Sequence, residues 1–140
     1  MKIRIAFSLL IYLTGTFIVF SQELKVKKDE ILLDDKPFLK YEKITLAEYS
    51  IKDLTGNEIL FFQTKEDPKT YLTFISFYFV SLKKKIESDN IARISGMGYK
   101  TMLDKMITWL IKDKVLNTDG TVNAAQLEIF SDKYNDHKPG

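Results

Sequence analysis

Two hydrophobic periods divide the chain. From Leu24 to Leu82 apolar residues alternate with polar ones or gather in short runs bounded by turn formers, whereas from Leu103 onward they recur at helical spacing. In the first part, Leu24 and Val26 alternate with charged neighbours. Ile31 to Leu33 then leads into Asp34-Asp35-Lys36-Pro37, a cluster of turn formers ahead of Phe38 to Tyr41, so strand, turn and strand are predicted. Tyr49 and Ile51 alternate with Ser50 and Lys52, Thr55-Gly56-Asn57 tolerates positive φ, and Glu58 to Thr64 is extended again, which is the pattern of a β-hairpin. Asp67-Pro68 breaks the chain, because proline cannot donate to a ladder and restricts the residue before it. The dense aromatic and β-branched run from Tyr71 to Leu82 predicts one long strand, or two with a bend near Phe79 to Leu82. Lys83-Lys84-Lys85 and Glu87 to Asn90 read as a solvated strand end and loop rather than a membrane-surface or nucleic-acid patch.

Leu103, Met106, Ile107 and Leu110 predict an amphipathic helix that follows Ser95 to Gly98 and ends before Asn117-Thr118-Asp119-Gly120. A second helix opens at Asn123 as N-cap, with Gln126 three residues on and Val122 set to pack on Leu127, the signature of a capping box with a hydrophobic staple. Leu127, Phe130 and Tyr134 form its apolar stripe, and the polar stretch 135–140 is expected to be a fraying tail. Strands first and helices afterwards imply an α+β fold: an antiparallel β-sheet of hairpins or a meander, followed by two C-terminal α-helices packed on it.

The central strands carry apolar residues on both faces. Leu60 and Phe62 oppose Ile59 and Phe61, and Leu72, Phe74, Tyr78 and Val80 oppose Tyr71, Ile75, Phe77 and Phe79, so these strands are expected to be covered on both sides. Two short helices cover one side. Either the sheet curls or the N-terminal strands fold over the other side, or that side meets a protein partner, a second copy or an apolar ligand. Phe62, Phe74 and Tyr78 are the residues expected on such a binding face.

The N-terminus alters the picture of the working protein. Lys2 and Arg4, the uncharged run Ile5 to Phe20 and then Ser21 follow the order of a secretory signal, with Val19 and Ser21 placed for cleavage before Gln22. The alternative, an uncleaved anchor, is disfavoured because the run is shorter than the ~20 residues a bilayer needs and Thr14, Gly15 and Thr16 interrupt it. The expected organisation is a signal at 1–21, one domain at 22–134 and a tail at 135–140, with an extracytoplasmic, periplasmic or secreted product and no stable membrane span after cleavage. Removing 21 residues from 140 leaves 119, and removing two of 21 bases with none of the 19 acids leaves 19 against 19, a balance that argues against nucleic acid as a partner. With no cysteine, stability has to come from the hydrophobic core. None of the asparagines (Asn57, Asn90, Asn117, Asn123, Asn135) has Ser or Thr two positions on, which fits a bacterial envelope product better than a glycosylated one.

Candidate chemistry is sparse. Asn117 to Val122 resembles the centre of a calcium loop, yet with Gly120 at the sixth position Val115 and Gln126 fall where an Asp and a bidentate Glu are needed, so it reads as a turn and no metal is assigned. Gly96-Met97-Gly98 reads as a connection rather than an anion cradle. His137 reads as a solvated tail residue, and Asp34/Asp35 and Glu66/Asp67 as turn acids, though carboxylate pairs of this kind leave open a small hydrolase. No cofactor is assigned. The expected function is an exported, non-catalytic binding or interaction module, with a carboxylate hydrolase or a purely structural envelope protein as alternatives.

Overall fold

The computed structural model describes residues 22–139, so the segment read as a signal lies outside the described residues. Seven strands, β1 (Leu24–Val26), β2 (Glu30–Leu33), β3 (Lys36–Thr45), β4 (Glu48–Lys52), β5 (Glu58–Glu66), β6 (Thr73–Phe79) and β7 (Lys84–Ser88), pair in sequence order as one antiparallel meander. A short 3₁₀ turn (Ile91–Arg93) leads to helices α1 (Tyr99–Lys112) and α2 (Ala124–Tyr134). The fold is the α+β arrangement expected of the sequence. No helix among the described residues is long and apolar enough to cross a membrane.

Both helices pack on one face of the sheet. The register Tyr49↔Phe62↔Phe77↔Ile86 sets one inward row and Ile51↔Leu60↔Phe79↔Lys84 the next. An aromatic ladder runs across the inward rows into the helices: Tyr99 on Tyr49 at 6.1 Å, Tyr49 on Phe62 at 6.1 Å, Phe62 on Phe77 at 5.8 Å, and Phe77 edge-on to Trp109 and Phe130 at 5.7 Å each. Each such pair adds about 0.5–1.5 kcal/mol to the burial of its rings, so the ladder is a main contributor to the core. Helix α1 supplies Leu103, Met106, Ile107, Trp109 and Leu110, and α2 supplies Leu127 and Phe130. Asn123 caps α2, its side chain accepting from the Gln126 N–H at 3.1 Å.

Three local expectations are corrected. Lys84–Ser88 is a paired strand rather than a loop, because Ile86, 0 % exposed, faces the core between outward lysine and glutamate neighbours and β6 supplies the ladder. Tyr71 and Leu72 precede β6 in its turn instead of opening it, because Asp67 and Leu72 close that turn through backbone hydrogen bonds. Asn135 to His137 do not fray. The Asn135 side chain accepts from the Glu87 N–H (2.9 Å), the Asp136 carboxylate accepts from the Asp89 N–H (2.8 Å), and the His137 N–H donates to the Glu87 carbonyl (3.0 Å). This strap occupies backbone groups that edge strand β7 would otherwise present to another strand.

Candidate functional site

The face of the sheet opposite the helices is built by the alternate residues. Ser50, Phe61, Tyr78 and Lys85 lie in one cross-strand row, and Glu48, Gln63, Ser76 and Glu87 in the next. At its centre Phe61 is half-buried beside Tyr78, which is 37 % exposed. Around this pair the rim is charged or polar. Lys52 pairs with Glu42 at 3.2 Å, Lys85 with Glu87 at 3.7 Å, Gln63 donates to Glu48 at 2.9 Å, and the Ser50 hydroxyl donates to Glu58. Ser50 and Ser76, each 3 % exposed, keep the floor between the aromatics narrow and polar. The N-terminal strands lengthen the sheet in its own plane, and among the described residues both helices lie on the opposite face.

Of the three expected site residues, Tyr78 and Phe74 are on this face and Phe62 is not. Phe62 pairs with Phe77 and Tyr49 on the helix side and is 0 % exposed, so its assignment to a binding face is corrected to the core. The sequence run Leu60-Phe61-Phe62 offered no polar residue to mark which side faced out; Phe61, its neighbour, is the outward one. Phe74 faces outward but is only 7 % exposed, because the His137 ring lies flat on it with centroids 3.7 Å apart and planes within 7°.

His137 is therefore the residue that sequence reasoning placed least well. Its side chain is 8 % exposed, with Nε2 at 3.3 Å from Asp67 and Nδ1 at 2.6 Å from Asp89. Asp67, 2 % exposed, also accepts the N–H groups of Lys69 and Thr70 and so fixes the β5–β6 turn. A lone polar residue near the end of a chain carries no periodicity, which is why only the fold could reveal this contact.

The other candidates take structural roles. Asp34 accepts the Glu23 N–H and Asp35 pairs with Lys25 at 2.9 Å; the hydrogen bond to that ammonium holds the Asp35 carboxyl below the usual range. In the loop between the helices Asp119 accepts from the Thr121 hydroxyl at 2.6 Å and its N–H at 3.0 Å, which depresses its pKa, and Gly120 adopts φ +87° against Leu39. Larger cavities lie towards α1. One of about 360 Å³ borders Arg93, Asp104 and Trp109, with the Arg93 guanidinium stacked 5.0 Å from Trp109 and 4.9 Å from Tyr134. Another of about 400 Å³ borders Leu24, Leu33 and Ile111. No protein-family model, curated protein or solved structure matches this chain, so its function has to be read from its own geometry.

Proposed function

We propose that the chain is an exported, non-catalytic interaction module that binds a protein surface through the outer face of its sheet. The observation that carries the proposal is the placement of Phe61 and Tyr78 at the middle of a face that carries no helix among the described residues, inside a rim of charged and polar side chains. An aromatic centre with a polar rim is the anatomy of a protein interface, where tyrosine supplies large contact area at low conformational cost. The face is an open sheet surface, which suits a protein partner or a second copy better than an enclosed apolar ligand. Export is supported by the order of Lys2, Arg4, the uncharged run Ile5 to Phe20 and Ser21. N-terminal sequencing of protein recovered from its native host is expected to begin at Gln22, and a membrane-held protein that retains Met1 would refute export.

The binding proposal is tested by comparing Phe61→Ala and Tyr78→Ala with the parent in light scattering and in partner capture from the extracytoplasmic fraction, with thermal melting as control. Loss of association with little loss of stability is expected. Unchanged association in both variants would refute it.

A further inference from the structure

The exposed apolar side chains are concentrated rather than scattered. Met97, Leu46, Tyr71, Leu72 and Ile44 are 94, 74, 72, 69 and 51 % exposed, while the other large exposed hydrophobics, Leu54, Tyr78, Leu82 and Ile129, are at 37–47 %. Ile44 ends β3, and the other four sit on the β3–β4 turn, the β5–β6 turn and the connection between the 3₁₀ turn and α1. The strand register brings these connections to one end of the sheet: Glu48 pairs with Gln63 near the end of β5, Glu66 with Thr73 at the β5–β6 turn, and Ile75 with Ser88 at the end of β7. Leu46, Gly96, Gly98 and Tyr99 line one cleft of about 260 Å³ together with Ile91 and Met102.

A lysine also lies in or next to each of the three connections. Lys43 precedes Ile44 and has its ammonium 4.3 Å from the centre of the Tyr99 ring, Lys69 lies two residues before Tyr71, and Lys100 follows Met97 at the start of α1; all three residues are exposed. The acids of this end are partly engaged and partly exposed. Glu48 accepts from Gln63 and the buried Asp67 faces His137, while Glu66, Asp89 and Asp136 are exposed, Asp89 against His137 and Asp136 accepting the Asp89 N–H. The surface offered is thus a set of separated apolar points, each with a cation next to it.

A rigid protein groove needs one continuous complementary face, and polar Thr45, Thr70 and Ser95 interrupt this one. The boundary between lipid headgroups and acyl chains is a fluid receiver that accepts separate tips: the apolar side chains enter, tyrosine sits at headgroup level, and the lysines meet anionic phosphates. We infer that this end of the sheet is a docking tip that seats the protein on an anionic phospholipid surface without spanning it. The tip is distinct from the outer sheet face, and seating through it leaves Phe61 and Tyr78 accessible to a partner.

The test is flotation of the protein recovered from its host with vesicles of phosphatidylcholine alone and of phosphatidylcholine mixed with phosphatidylglycerol. Parent and variants share the same N-terminus, so the readout is the difference between them. The parent is expected to float with the anionic vesicles, less so as salt is raised through the range where surface charges are screened. Leu46→Glu with Leu72→Glu is expected to lower vesicle affinity about tenfold or more, and Lys43→Ala with Lys69→Ala and Lys100→Ala to abolish the preference for anionic lipid. Unchanged melting of these variants would show that the loss is local. Failure of the parent to float with anionic vesicles, or variants that float as well as the parent, would overturn the inference. Loss of self-association in the tip variants without any vesicle binding would assign the tip to a second copy and also overturn it. Neither result touches the outer-face proposal, which is read from Phe61 and Tyr78 variants.

Discussion

Replacing His137 by Ala removes the cover from Phe74 and the ring that joins the tail to two turns. The flat stack on Phe74, 3.7 Å between centroids, contributes about 0.5–1.5 kcal/mol as an aromatic contact. The Nε2 contact to Asp67 is to an acid 2 % exposed, and losing a hydrogen bond to a buried charged group costs about 1.5–3 kcal/mol even though Asp67 keeps its bonds from Lys69 and Thr70. Asp89 is 57 % exposed on its side chain, so its contact with Nδ1 adds at most about 1 kcal/mol. The expected total is about 2–5.5 kcal/mol, which for a domain of this size lowers the melting temperature by roughly 10–20 °C. Differential scanning calorimetry measures it, with two partial replacements to separate the causes: His137→Phe keeps the stack without the nitrogen contacts, and His137→Gln keeps hydrogen-bonding capacity without the stack. Both are expected to fall between parent and His137→Ala. A loss below about 0.5 kcal/mol, ordinary for an exposed site, would show that the tail is solvated and refute the clamp.

Phe62→Ala and Phe130→Ala are both core truncations, 0 and 1 % exposed, and denaturant titration is expected to show losses of about 3–5 kcal/mol for each; a Phe62→Ala protein that stays as stable as the parent would return that residue to the surface. Acid is expected to destabilise the fold in a defined window. Asp35, Asp53 and Asp119 are held below the ordinary carboxylate range by hydrogen bonds from Lys25, Thr55 and Thr121 respectively, so their stabilisation is present above about pH 4, the unfolded value, and is lost as pH falls through the lowered values. At the other extreme, burial raises Tyr41 and Tyr49, so unfolded tyrosines ionise first and stability declines once pH passes about 10. Melting temperatures measured across pH check both limbs, and Asp119→Asn is expected to remove part of the acid slope.

The legible parts of the fold were those written in more than one signal. The second helix had a cap, a staple and a stripe, and the structure bears out the Asn123 cap. The β4–β5 hairpin had alternation on both sides of a glycine turn. What was not legible depended on a third dimension. The run Leu60-Phe61-Phe62 is apolar throughout, and only pairing with Phe77 and the position of the helices decides that Phe62 faces in and Phe61 out. Strand β7 has a single fully buried apolar residue, Ile86, too little for a period-2 signal, and exists because β6 offers a ladder. His137 is fixed by residues 48 and 70 positions away in sequence, a separation that no local pattern records. The apolar tip escaped notice for a related reason: Ile44 at the end of β3 and Leu46, Tyr71, Leu72 and Met97 in three connections are brought to one end only by the meander.

The central claim is that the outer sheet face, through Phe61 and Tyr78, is where this protein meets its partner. The direct measurement is binding of the partner captured from the extracytoplasmic fraction to immobilised parent and to a Phe61→Ala, Tyr78→Ala double variant, each shown to melt at the parent's temperature to within the effect of an exposed substitution. Loss of two aromatic anchors at an interface centre is expected to weaken binding by about 2 kcal/mol or more, a factor of about 30, seen mainly as faster dissociation. Equal affinity for parent and double variant would contradict the claim.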